Sequence, residues 1–246
     1  MNGVTTKIKL QKARNEFALQ CHTATLKPKF VINSAVLSVR KVRLGDTVMM
    51  QHTHALARVG RNAMYPYQHK VVCPYNITKG SQFFVQEKLF NGYLPKLVIL
   101  AMVSSEAYVG AYTKNPFNFQ HFGINYVGLK KDGENVPFQP FEPDFTNSRY
   151  LREYLNIFSA CGMIGRDDCL SFDYADYGKG YCFFVFNLTP DISMTASAMQ
   201  YEEQSNLRVE LKFGTALVEN VTLLVMGVFD GMVEIDANRN VFSSEI

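Results

Sequence analysis

The chain has 246 residues, 47% of them hydrophobic and 19% charged, with a formal net charge of +3. That balance excludes a disordered chain and a protein held to nucleic acid by its overall charge. The longest apolar run, Leu97 to Val103, is strand-sized, far short of the ~18 residues of a membrane span.

The elements are predicted from the hydrophobic period. Residues 1–10 carry lysines where the apolar core of a secretion signal would stand, so none is expected. Val36 to Arg40 reads as a half-buried strand. Asp46 is placed to cap a helix through Val48, Met49, His52, Ala55, Leu56 and Val59, stopped near Gly60. His69 to Tyr75 reads as a strand whose Pro74 marks an end or a sheet edge, and Phe83 to Val85 as a short one. Leu97 to Val103 is apolar on both faces, the mark of an interior strand. Ile124 to Pro137 reads as a hairpin, because Asp132-Gly133 suits the positive φ angles of a type I′ turn. Ser148 is placed to cap a second helix carrying Leu151, Tyr154, Leu155 and Phe158, with Gly162 as its stop. Tyr181 to Leu188, Leu207 to Phe213, Val221 to Phe229 and Met232 to Ile235 complete the strands. Leu207, Val209, Leu211 and Phe213 alternate with Arg208, Glu210 and Lys212. About eight strands with two short helical insertions predict an all-β, antiparallel sandwich of jelly-roll type.

Nothing in the sequence marks an enzyme, and no cofactor or metal is expected. His52 and His54 would share a face on a strand, but on the predicted helix they stand ~200° apart. Asp167, Asp168, Asp173 and Asp176 lack the spacing of a calcium loop. Tyr177 to Tyr181 precedes a strand, whereas a phosphate-cradling loop opens a helix. The five cysteines form no C-x-x-C pair, and reduced thiols are expected. The sequons at Asn76, Asn187 and Asn220 are expected to be unused. The unusual feature is a pair of aromatic loops, Asn115 to Phe122 and Pro137 to Phe145. Aromatic anchors dominate buried contacts between proteins, so Phe117, Phe119, Phe122, Phe138, Phe141 and Phe145 are the candidate subunit-interface residues. A glycan- or receptor-binding module is the alternative, with Tyr174, Tyr177 and Asp173 as its groups.

An ordered set of short motifs carries a family resemblance. It begins with Val36 to Arg43, His54-Ala55-Leu56-Ala57 and Tyr65-Pro66-Tyr67. Leu89-Phe90-Asn91-Gly92, Leu94-Pro95-Lys96, Lys114 to Phe119, Asp132-Gly133 and Val136-Pro137 follow. Tyr177 to Tyr181, Asn187 to Asp191, Leu207 to Leu211, Val233 to Asp236 and Arg239-Asn240-Val241 complete it. Together they resemble the C-terminal half of the double jelly-roll, hexon-like major capsid proteins of Maverick/Polinton-type elements. The resemblance implies a self-associating capsid subunit, a homotrimer that works with other capsid proteins such as a penton-type minor capsid protein. It implies a virion location after assembly inside the cell, and no direct nucleic-acid contact. Family members are about twice as long. Met1 to Val4 with Lys7 to Leu10 resembles the junction between the two rolls. Residues 1–28 are therefore expected to be the end of a preceding roll, and 29–246 the C-terminal roll.

Overall fold

The computed structural model describes residues 4–23, 25–58, 60–166, 169–189 and 204–243. Among them a short helix, α1 (Asn15–Ala18), and a longer one, α2 (Asp46–Arg58), precede the first strand. The strands are β1 (Ala63–Ile77), β2 (Phe83–Gln86), β3 (Leu97–Ser104), β4 (Ile124–Lys131), β5 (Glu134–Asn135), β6 (Phe183–Asn187), β7 (Leu207–Phe213), β8 (Val221–Ile235) and β9 (Val241–Ser243). Three helices lie between them: α3 (Ser105–Val109), α4 (Leu151–Ala160) and α5 (Tyr174–Tyr177).

The strands build two antiparallel sheets, ordered β1-β8-β3-β6, with β9 added to β8, and β2-β7-β4-β5. Successive strands thus alternate between the sheets, apart from the β4–β5 hairpin and the appended β9. This is the connectivity of an eight-stranded jelly roll, and it settles the fold class in favour of the predicted architecture. The core lies between the sheets, where Val127 and Leu129 of β4, Phe184 and Phe186 of β6, Leu207, Val209 and Leu211 of β7, and Leu223 and Val225 of β8 are buried. The period-two pattern places them: the odd positions of β7 are core, while Lys212 is exposed. Glu210 departs from that pattern. It is buried, and Lys130 and Arg208 satisfy its carboxylate at 3.1 and 2.8 Å.

Several predicted elements stand as read. β3 is interior, flanked by β8 and β6, and its apolar run is buried on both faces. β1 lies at a sheet edge, where Pro66 and Pro74 are tolerated. Asp132 (φ 49°) and Gly133 (φ 94°) make the β4–β5 turn. The turn is tied across to the start of β7, because the Asp132 carboxylate accepts from Ser205 Oγ and from the backbone N–H of Asn206. Gly162 (φ 65°) stops α4, with its N–H on Ser159 O and the Met163 N–H on Phe158 O, the double bond of a Schellman motif.

Four readings are corrected. Val36 to Arg40 is not a strand: the described residues offer it no partner strand, and every residue from 31 to 55 is exposed. Met232 to Ile235 is not separate but the far end of the 15-residue β8, which pairs with β1 along its whole length. Asp46 is the first residue of α2, not its cap; the Gly45 carbonyl accepts from Val48 and Met49. Ser148 does not cap α4, which begins after Tyr150 without a side-chain cap. The buried face of α4 is Glu153, Ile157 and Ala160, leaving Leu151 and Leu155 exposed. The face turns because Asn156 donates to Val185 O on β6, and Asn187 of β6 donates to Ala160 O. These bonds dock α4 on the outer edge strand and cover part of that edge.

Candidate assembly surface

The six predicted interface phenylalanines fall into three settings. Phe141 is core, 1% exposed, with its ring 5.2 Å from Phe186 and the Arg152 guanidinium 5.1 Å above it. Its backbone pairs with Val127, extending the β2-β7-β4 sheet beside β5. Phe119, Phe122 and Phe145 are half-buried. Phe119 bonds to Gly180 and Cys182 through its backbone and packs 5.0 Å from Phe183. Phe122 and Phe145 pack against the core from the side. Phe117 and Phe138 are the outward pair, 62% and 87% exposed. Phe117 has one aromatic neighbour, Phe17 of α1, edge-on at 5.7 Å.

Behind these loops lies an aromatic stack centred on the buried Tyr150. Tyr150 sits between Phe145 at 4.9 Å and Tyr174 at 4.6 Å, and His121 stacks on Phe145 at 4.1 Å. His121 Nδ1 accepts from the Gly123 N–H, and burial holds its imidazole below the usual histidine range. Tyr177 is fully buried and donates to Phe183 O at 2.8 Å; burial pushes its phenol and the neighbouring Cys182 thiol well up. Tyr177 therefore cannot form a sugar platform. Tyr174 is half-buried and bonded to Ser148 O, and Asp173 is spent capping α5. The glycan-site reading loses the groups it rested on. Asp167 and Asp168 lie outside the described residues.

The remaining candidate groups have structural surroundings. His52 and His54 sit on the exposed helix α2, and no cluster of three metal-ligating side chains occurs among the described residues. All five cysteines are free thiols. The sequon amides are engaged: Asn76 accepts from Ser105, Asn220 from the Lys79 N–H, and Asn187 from Thr189.

The sequence reading missed a second surface. Residues 12–30 clip onto the roll: the Cys21 N–H bonds Tyr112 O, and Tyr112 Oη reaches Pro28 O and Glu16. Gly110 permits this close approach, since a Cβ there would meet the Phe17 nitrogen at 3.2 Å. Beyond that clip every residue from 31 to 55 is exposed, with Val31, Val36 and Val42 at 80%, 90% and 78%. The signal was present in the distribution of charge. Residues 1–62 hold 11 Lys and Arg against 2 Asp and Glu (+9), while residues 63–246 hold 14 against 20 (−6). A net charge of +3 hides that division.

No family model matches the chain. An uncharacterized protein of Caenorhabditis elegans is 25% identical over 244 residues, spanning 98% of this chain and 58% of the relative. The chain is thus shorter than two thirds of that relative. The crystal structure of the mavirus major capsid protein gives a TM-score of 0.42 at 12% identity, over 75% of this chain and 41% of that one. The cryo-EM structure of the Sputnik virophage gives 0.44 at 14% identity, over 75% of this chain and 39% of that one. The fold class rests on this chain's own strand order.

Proposed function

We propose that this chain is a structural protein: the C-terminal jelly roll of a double jelly-roll major capsid subunit of the Maverick/Polinton type, working by self-association. The observation that carries the proposal is the combination in one molecule of a closed jelly-roll core and large apolar side chains held outside it. Phe117, Phe138 and the valines of residues 31–42 stand in water, outside the core that the described residues build between the sheets. Exposed apolar groups in number mark a contact surface. The ordered motifs of the sequence add the family reading, since fold alone leaves function open. In this reading the subunits form trimers and meet other capsid proteins, including a penton-type minor capsid protein, in a virion assembled inside the cell. Contact is driven by burial of the outward aromatic loops, with Phe117 and Phe138 as the anchors and Phe119, Phe122, Phe141 and Phe145 holding the loops in shape.

Light scattering after size exclusion tests this directly. A trimer or larger species, growing with concentration, is the expected result. A monomer across the whole accessible concentration range, alone and mixed with the full-length longer relative, would overturn it.

A further inference from the structure

We propose that His121 is an acid-sensitive latch on the assembly surface: its neutral ring closes the turn that holds one aromatic loop against the other, and protonation opens that turn. This rests on the self-association reading above and names a regulator of that surface.

His121 stands where the two loops meet. It belongs to the loop that carries Phe117, and its ring stacks at 4.1 Å and 7° on Phe145, in the loop that carries Phe138. Its Nδ1 accepts from the Gly123 N–H at 2.9 Å, and its carbonyl accepts from the Ile124 N–H at 2.9 Å. These bonds close a turn in which Phe122 (φ 48°) and Gly123 (φ 70°) are both left-handed. That conformation is uncommon for a residue such as phenylalanine and persists where its surroundings fix it. The turn leads directly into β4, and the Gly214 N–H bonds Gly123 O from the end of β7.

The chemistry of the ring makes this closure conditional. To accept at Nδ1, a neutral imidazole carries its proton on Nε2; an imidazolium carries protons on both nitrogens and cannot accept. Protonation sets Nδ1–H against the Gly123 N–H. Flipping the ring would keep the stack but leave the Gly123 N–H without its acceptor. A cation is attracted to the Phe145 face, so the turn, and not the stack, is what opposes the charge.

The surroundings offer no competing ion. Behind Phe145 stands Tyr150 at 4.9 Å. Asp144, next to Phe145, has both carboxylate oxygens bonded by Asn147. Glu142 and Arg149 are exposed, and Lys212 of β7 lies over Tyr126. Among the described residues no ion pair reaches His121, and burial lowers its pKa. A histidine with a lowered folded pKa contributes stability that is full above its unfolded value, about 6.5. The contribution is lost as pH falls from there through the folded pKa.

The test compares the full chain with His121→Asn. An asparagine accepts from the N–H two residues on without titrating, and the other four of the five histidines remain in both chains. Hydrogen exchange across residues 118–126, corrected for intrinsic rates, and light scattering are measured at about pH 7.5 and about pH 5.5. The parent is expected to lose about tenfold in protection and in association at the lower pH. That is the limit for one proton, one unit below an ordinary histidine pKa. His121→Asn should change less than about twofold. Should it melt low at neutral pH, His121→Ser, which makes the same turn more weakly, takes its place. Unchanged protection in the parent, or equal losses in parent and variant, overturns the latch and leaves the self-association reading standing. A parent that opens in acid but associates at neither pH overturns that reading, and with it the control of assembly, while the opening of the turn stands on the exchange.

Discussion

Lys96 Nζ lies 2.5 Å from Asp230 Oδ2, with the two side chains 3% and 9% exposed. The pair joins the entry to β3 with the middle of the long strand β8, where the Lys96 N–H also bonds Val228 O. Gln68 of β1 reaches the same carboxylate at 3.4 Å, so three segments meet there. A buried pair is weak evidence of net stabilisation, but removing one partner strands the other charge. Asp230→Asn is therefore expected to cost about 3–5 kcal/mol in denaturant unfolding. The double variant Lys96→Met, Asp230→Leu should recover much of the loss. A single variant as stable as the parent would show that water reaches the site.

Three positions along β8, Gly227 faces two rings. A Cβ there would come within 2.8 Å of both Phe90 Cζ and Phe229 Cε2. Phe90 is itself held at φ 56° in a short 3-10 turn, between Lys88 at 53° and Asn91 at 55°. It has little freedom to retreat. Gly227→Ala should destabilise by about 1–3 kcal/mol through overpacking, with Phe90→Leu in the same chain restoring part of it. A neutral Gly227→Ala melt would show that the turn yields.

Glu153 gives a prediction with a pH signature. Its side chain is buried on α4, and burial raises its carboxyl above the usual glutamate range, against the smaller opposing pull of its own N–H, Arg152 and the Glu142 N–H. A carboxyl whose folded pKa lies above its unfolded value favours the fold below the unfolded pKa. That contribution is lost as pH rises through the folded pKa. Glu153→Gln has no carboxyl to ionise, so this pH-dependent loss is absent from the variant. The variant should melt higher than the parent at pH 7 and gain nothing near pH 4. A gain of equal size at both values would point to packing and not to ionisation.

The strands were legible because burial on one side of a sheet writes a period of two into the sequence, as in Leu207 to Phe213. Asp132-Gly133 was legible because few other dipeptides accept two positive φ angles. Val36 to Arg40 carries the same kind of pattern and misleads. Alternation states that a segment can pair, not that its own fold supplies a partner. Phe138 and Phe141 stand three residues apart in one loop, one in water and one in the core; composition cannot separate them, since the β4 edge that receives Phe141 is set by tertiary pairing. Lys96 and Asp230 meet only because β8 lies beside β3. The helix face of α4 was misread for a related reason. Leu151 and Leu155 are more apolar than Glu153, but hydrogen bonds to β6 turn the glutamate inward.

That division between outward and inward phenylalanines separates assembly from folding. Phe117 and Phe138 are outside the core, so Phe117→Ser with Phe138→Ser should leave the unfolding free energy within about 0.5 kcal/mol of the parent, the usual range for exposed sites. The same pair should weaken self-association about tenfold or more if the two rings are buried anchors. Phe141→Ala should do the reverse, costing about 3–5 kcal/mol of stability as a core truncation. Measured side by side by thermal melting and light scattering, the two variants should differ in opposite senses. If Phe117→Ser with Phe138→Ser unfolds the chain, the contact of Phe117 with Phe17 is structural and the outward loops are not the assembly surface. If it leaves both stability and association untouched, the subunits meet elsewhere.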